Sequence, residues 1–394
     1  MFKRILYIAA AAVILCGAFQ EAGQAQSIFG SFGMGELRYT IHTRATGMGG
    51  AGLALKDPIQ QNHVNPALMS DIANTSFGGG FWFEGINIKR GGSSQFLQNS
   101  VLSNFSFTIK VNEKFAFGGG LNPYFDTDYK LRTTTARYTN SVEAFGGTTS
   151  GYFGAAFRLN KYAAIGVNYV MLFGKDEETW KIDFVDPKFA SSSNNYIRSK
   201  FGSGFSVGTL LSILPKLDVG GVFMSGVPIT TTDRISYYSG RSATEDGYKI
   251  ELPYSYGIGT VYMPFPELSF AADMYHWRLS ELSAPQFPQN EYGNSSRFAV
   301  GMEFDPEEDM TSGFSERIIY RLGFNYWGLY SRDIDGSPVN EKFLSLGIGI
   351  PVMGGQARFD CAIEGGVRSS KSKLIGSETI IRFHIQFGGG ERWF

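Results

Sequence analysis

The chain has 394 residues, a formal net charge of −1, 50 glycines and 15% aromatic residues. A near-neutral balance excludes the electrostatic footprint of a nucleic-acid binder. Two cysteines exclude a disulfide scaffold and a cysteine metal cluster, and a mean hydropathy of −0.10 suits a transmembrane barrel, whose strands each have only one apolar face.

The chain opens with Lys3 and Arg4, an apolar run over residues 5–19, and the small-residue site Ala22-Gly23-Gln24-Ala25. This pattern predicts a secretory signal over 1–25 with cleavage after Ala25. The run is too short for a spanning helix. Cys16 invites a lipoprotein reading, but Val13-Ile14-Leu15 lacks the small residue expected before it. After the signal, no apolar run approaches the ~20 residues that a spanning helix needs.

Residues 26–75 are rich in Gly, Ala, Asn and Pro, with little strand alternation. The segment is too apolar for a free tail, so it is expected to shelter in the lumen of the barrel that follows, as an N-terminal hatch or plug. Gly47-x-Gly49-x-x-Gly52 matches a dinucleotide fingerprint, but no apolar strand precedes it, so no nucleotide site is expected.

Residues 76–394 read as about fourteen antiparallel strands, recognised by period-two alternation. Phe105, Phe107, Ile109 and Val111 alternate with Ser106, Thr108 and Lys110; Ile381, Phe383, Ile385 and Phe387 alternate with Arg382, His384 and Gln386. The fold class is therefore all-β, an antiparallel transmembrane β-barrel with a luminal plug. Lys110, Arg358, Arg382 and His384 become lumen-facing polar candidates, and Cys361 a lipid-facing filler. The connections alternate between tight ones and long polar stretches at 126–143, 175–198, 230–248 and 279–295, as expected for short periplasmic turns and long outer loops. Residues 305–316 break that parity. Asp305-Pro306-Glu307-Glu308-Asp309 lacks the ligand spacing of a calcium loop and reads as a solvated acidic turn.

The third strand carries Phe117-Gly118-Gly119-Gly120-Leu121-Asn122-Pro123-Tyr124-Phe125. Proline lacks the N–H of a ladder, so Pro123 predicts a local break in the wall or a harmless strand end. The inward faces at 169–173 and 258–262 are less polar than a water-filled channel requires and suit a ligand with an alkyl or aromatic body. The inward cations are candidates to receive a carboxylate head group. The four histidines (His42, His63, His276, His384) form no local Ser/His arrangement, so no enzyme is expected.

Arg44-Ala45-Thr46-Gly47-Met48-Gly49-Gly50-Ala51-Gly52, followed by Asn65-Pro66-Ala67-Leu68, resembles the N-terminal plug of FadL-like outer-membrane transporters. The Gly-Pro strand resembles the kinked strand that opens the wall of those barrels. The terminal aromatic Phe394 resembles their sorting signal. The resemblance implies Asn65, Pro66, Ala67, Gly119, Gly120, Asn122 and Pro123 as ligand-binding or gating residues. It also implies a monomer in the outer membrane of a Gram-negative cell, in contact with membrane lipid and working without a cofactor. The implied activity is passive uptake of hydrophobic molecules, long-chain fatty acids first, with plug rearrangement and lateral exit. Asn65-Pro66 also reads simply as a helix-start turn. A second reading is a scaffold or shuttle barrel of type IX-like protein secretion, which the Arg-Ala-x-Gly-Met-Gly run fits equally well.

Overall fold

The computed structural model describes residues 27–285, 292–306 and 313–393. The expected signal, Glu307-Glu308-Asp309 and Phe394 lie outside the described residues.

Fourteen wall strands stand among the described residues. The first seven are β1 (Thr75–Arg90), β2 (Ser93–Lys110), β3 (Phe115–Asp126, resuming as Tyr129–Thr134), β4 (Tyr138–Asn160), β5 (Ala163–Phe184), β6 (Ser192–Leu214) and β7 (Leu217–Met224, resuming as Val227–Ser236). The other seven are β8 (Ser242–Leu252, resuming as Ser255–Phe265), β9 (Leu268–Trp277), β10 (Ser295–Phe304), β11 (Ile319–Arg332), β12 (Pro338–Val352), β13 (Ala357–Ser370) and β14 (Ser377–Glu391). Neighbours pair antiparallel, and β14 returns to β1 over fifteen residue pairs, from Ser377–Lys89 to Glu391–Thr75. An open edge in hydrocarbon leaves backbone groups unpaired at several kcal/mol each, which is why the sheet closes.

Side chains alternate as the sequence requires. On β14, Ile381 and Phe383 face outward while Arg382, His384 and Gln386 are buried inside. On β10, Phe298, Val300, Met302 and Phe304 form the outer row and Arg297, Ala299 and Glu303 the inner one. Cys361 faces outward, half-buried in its row. The closed ring with an apolar belt is a transmembrane β-barrel of the outer-membrane type.

Three of the four polar stretches expected as outer loops are strand instead. The connections there shrink to residues 135–137, 185–191 and 237–241. The reason is visible on β5. Its outward row runs Ile165, Val167, Tyr169, Met171, Phe173 and then Lys175, Glu177, Thr179, Lys181, Asp183. Above the hydrocarbon the outer face turns polar, so hydropathic alternation fades while the backbone ladder continues. The strands β4, β5 and β6, at 23, 22 and 23 residues, therefore stand far above β9 and β10, at 10 residues each. The rim is high on one side and low on the other. In the stretch 279–295 the described residues 279–285 and 292–294 connect β9 to β10, with a 3-10 turn at Leu279–Glu281 and a bridge from Ser283 to Glu251.

Residues 27–74 lie inside the ring. They comprise a 3-10 turn (Ile28–Ser31), a two-residue strand (Glu36–Leu37), a helical turn (Thr43–Gly47) and a 3-10 turn (Pro66–Asp71). Their partners go around the whole wall: Ser27 donates to Glu378 on β14, Arg44 pairs with Glu303 on β10, Lys56 with Asp218 on β7, and Lys110 on β2 donates to the Ser70 carbonyl. Only a segment in the bore reaches all of these. Wall glycines permit the close fit: a Cβ on Gly323 of β11 would overlap the Gly49 nitrogen, and Gly49 itself has φ +71°. Gly47 and Gly49 thus serve contact with the wall, and Gly52 serves close packing within the segment, against Ile41 and Ala45.

Candidate functional site

The β2–β3 seam is half open. Its ladder runs for six residue pairs, from Lys110–Ala116 to Phe105–Leu121, and stops. Above that level residues 93–104 pair with β1 alone. Both strands are interrupted at the same height. On β2, Ser103 is an extra residue between the Gly80–Asn104 and Phe81–Leu102 pairs, a β-bulge. On β3, the Phe115 carbonyl accepts from Val111 of β2 while the Lys114 carbonyl accepts from Arg158 of β4. By that alternation residues 115, 117, 119, 121 and 123 turn toward β2, so Pro123 removes the next donor the seam would use. A second bulge follows between Pro123 and Phe125.

The N-terminal segment takes the vacated edge. Glu36 and Leu37 pair with Asp126 and Phe125, and the Arg38 N–H donates to the Tyr124 carbonyl at 2.9 Å. Ion pairs hold this short strand in place. Arg38 contacts Glu36, Glu84 and Asp126 at 2.9, 3.3 and 3.1 Å, and its guanidinium lies over the Trp82 ring. Glu36 is gripped from the far wall by Arg368, which also pairs with Glu341 and, at 2.9 Å, with Glu378. A second network lies deeper. Arg44 and Arg321 share Glu303, both at 2.6 Å; Arg321 reaches Asp360 at 2.7 Å; and Arg358 bridges Asp360 and Asp57.

Beside the seam, inside the bore, is a cavity of about 70 Å³ whose lining includes Tyr39, Asn122, Tyr124, Tyr152, Asn168 and Trp277. The Tyr39 and Tyr152 hydroxyls and the Asn122 and Asn168 side-chain oxygens are buried there without a hydrogen-bond partner in the chain. An aromatic enclosure with a few unengaged polar atoms has the character of a small-ligand site. A larger concavity, about 590 Å³, lies on the outer wall among Phe115, Phe117, Phe153, Tyr169 and Phe205. These aromatic rings belong to the outward rows of their strands, so the concavity is on the lipid-facing side.

The residues expected from sequence fall into three places. Asn122 and Pro123 sit at the break. Gly119 and Gly120 lie just below it, in intact ladder with both neighbours. Asn65, Pro66 and Ala67 are elsewhere, against β5 and β6. Asn65 caps the 3-10 turn by accepting from the Ala67 N–H, and its amide donates to Leu53 and Thr209 carbonyls at 2.7 and 3.0 Å. Asn65 is thus a turn-start cap that also fastens the segment to the wall. The polar candidates are committed within the chain. Lys110 holds the Ser70 carbonyl, Arg358 holds Asp57 and Asp360, Arg382 holds Glu84, and His384 contacts Glu364 at 3.0 Å. Arg358, Arg382 and His384 are buried against carboxylates of the segment or the wall, whereas Lys110 is half-buried and gives one hydrogen bond to the Ser70 carbonyl. The cavity residues Tyr39, Tyr152 and Asn168 escaped sequence reasoning. Tyr152 and Asn168 carry only the inward parity of their strands as a signal, and Tyr39 none.

A protein-family model described as BamG matches residues 1–237 and 223–394. No curated protein matches the sequence. Among solved structures the chain is similar to a FadL homologue of Pseudomonas aeruginosa, with 14% identity, 90% of this chain and 98% of that one covered, and a TM-score of 0.60. It is similar to the monoaromatic hydrocarbon channel CymD at 14% identity, 90% and 98% coverage and TM-score 0.61. It is also similar to the toluene transporter TbuX of Ralstonia pickettii at 15% identity, 88% and 97% coverage and TM-score 0.60. At such identities the likeness is one of fold.

Proposed function

The chain belongs to the BamG family, and from that premise and the seam geometry we propose that it passes small hydrophobic molecules from the outer face into the membrane. Residues 27–74 act as the plug of this path. The molecule enters the aromatic cavity beside Asn122 and leaves sideways through the open β2–β3 seam when Glu36 and Leu37 release the β3 edge. The observation that carries this reading is the ladder that stops at Phe105–Leu121 inside a ring that is otherwise laddered. Fold likeness to hydrocarbon channels supports it. The small aromatic enclosure favours a compact ring over a long acyl chain.

A reversible lock tests it. Leu37 and Phe125 are direct ladder partners, within disulfide reach. In a Cys361→Ala background, Leu37→Cys with Phe125→Cys should abolish uptake of toluene when oxidised and restore it on reduction, with barrel assembly unchanged. A long-chain fatty acid measured in parallel sets the ligand class. Equal uptake in both redox states removes the lateral path.

A second reading, a barrel that serves as a scaffold for partner proteins of the outer membrane, as in type IX-like secretion, is favoured by the dense anchoring of the N-terminal segment. The bore cavities, about 40 and 70 Å³, are far below the roughly 300–1,000 Å³ of ordinary ligand pockets, and two buried ion-pair networks hold the segment. Under this reading toluene uptake by the unlocked protein equals that of cells lacking it.

A further inference from the structure

The high side of the rim is an amphipathic sheet standing clear of the membrane. Its outer face is polar: Lys175, Glu177, Thr179, Lys181 and Asp183 on β5, with Thr139, Ser141 and Glu143 beside them on β4. Its inner face is mixed: near the membrane boundary it carries the ion pairs Lys200–Asp176 and Arg198–Asp233 and Glu178, which accepts from the Trp180 indole, and toward the tip it carries large apolar side chains. On β5 the even-numbered side chains point into the bore below the boundary, where Ala164, Val170 and Leu172 are buried. The same parity carries Trp180, Ile182 and Phe184 above it. Tyr138 pairs with Phe184, Leu131 with Val142, and Tyr196 with Glu178, so their side chains share this face. Phe189, in the short β5–β6 connection, packs tilted against Phe184 at 5.5 Å between ring centroids.

Leu131, Tyr138, Trp180, Phe184, Phe189 and Tyr196 are each between 36% and 60% exposed. Six large side chains open to that degree present on the order of 500 Å² of mainly apolar surface. That is close to the nonpolar share of one side of a standard protein interface, about 800 Å² with a little over half nonpolar. Soluble surfaces rarely leave so large a contiguous patch uncovered. The patch does not meet lipid, because the sheet's other face is charged and the patch looks over the bore toward the low rim. It does not enclose a small molecule, because it is an open face.

We infer that this inner face docks a folded protein domain on the outer side of the membrane, seated over the bore and resting against the high wall. The domain presents an apolar surface to Trp180 and Phe184. The surface is distinct from any passage through the seam, since Trp180, Phe184, Phe189 and Tyr196 are on β5, β6 and their connection and only Leu131 is on β3, well above Pro123.

Photo-cross-linking in intact cells tests this on the full chain. Benzoylphenylalanine is placed at Phe184 or Tyr196 on the inner face and at Thr179 or Lys181 on the outer face. The expected result is an adduct with one protein from the inner positions and none from the outer ones. Copurification of that same protein should fall at least tenfold in Trp180→Asp, with the heat-modifiable migration of a folded barrel retained. If Trp180→Asp fails to assemble, Leu131→Asn on the neighbouring hairpin serves for the same measurement. Adducts of equal yield from both faces, adducts with lipid alone or with a second copy of this chain, no adduct, or copurification unchanged in the variant each overturn the inference.

Discussion

Two seams of this barrel join antiparallel neighbours, and they differ completely. The β14–β1 seam, where the last strand meets the first, is laddered over fifteen pairs although its residues are some 300 positions apart. The β2–β3 seam joins strands separated by a four-residue turn and is laddered over six. Proximity in sequence therefore does not decide closure. Composition at one level does: a bulge at Ser103 and a proline at 123 stop the short-range ladder, while uninterrupted strands complete the long-range one. The open edge then has to be satisfied from elsewhere, and the chain's own N-terminal strand does so. The contrast separates a wall that is finished in itself from a wall finished by the N-terminal segment.

The sharpest way to break the contrast is to free that segment. Arg368 is fully buried and is shared by Glu36, Glu341 and Glu378. Arg368→Met leaves three buried carboxylates facing one another. The expected cost is about 3–5 kcal/mol, read as release of the N-terminal segment: cleavage by trypsin after Arg38 and increased ion conductance in planar bilayers. The β14–β1 seam, which Arg368 does not complete, should keep its amide protection in hydrogen exchange. If conductance and cleavage stay at wild-type values, the ion pairs do not hold the segment.

A smaller effect is expected from Gly35→Ala. Gly35 has φ +102°, and a Cβ there would collide with the Asp126 carbonyl oxygen. The substitution should weaken docking of Glu36 and Leu37 on β3 by about 1–3 kcal/mol, with faster exchange of the amides at 36–38 and no change at β14–β1. Asn65→Ala should cost about 1–2 kcal/mol through the lost cap and the two lost amide bonds. It should loosen residues 53–70 against β6 and leave the open seam as it is, because the two sites are on different parts of the wall.

Most of the wall could be read from the sequence, because period-two alternation is a direct consequence of one face meeting lipid and the other the bore. The high rim was hidden for the same reason. Where Phe173 gives way to Lys175, the outer face stops meeting lipid and the pattern that identifies a strand is gone, though the strand is not. Pro123 announced its own break, because the missing donor is a property of the residue. The matching bulge at Ser103 was silent, since it exists only relative to the register of β1. Arg358 and Arg382 were legible as inward cations, but their partners Asp57 and Glu84 were not: each pairing spans about 300 residues and depends on which strands become neighbours around the ring. The Asn65-Pro66-Ala67 turn was found by its sequence, while its seat against Thr209 required the barrel.

The smallest expected effect sharpens the contrast most. Pro123→Val restores one donor on the β2 side of β3 but leaves the Ser103 bulge in place. Alone it should change stability by less than about 1 kcal/mol and leave the amides at 96–102 as exchangeable as before. Deleting Ser103 as well returns β2 to a regular alternation, with Leu102 outward, Val101 inward and Phe105 still in the outer row. The two strands then have matching donors and acceptors above Leu121, and the ladder should extend upward, protecting the amides at 96–102 and displacing Glu36 and Leu37 from Phe125 and Asp126. If the double variant leaves those amides unprotected, the interruption lies in the approach of the N-terminal strand itself and not in the two wall residues. If the single variant suffices, the bulge is a passive consequence of the proline.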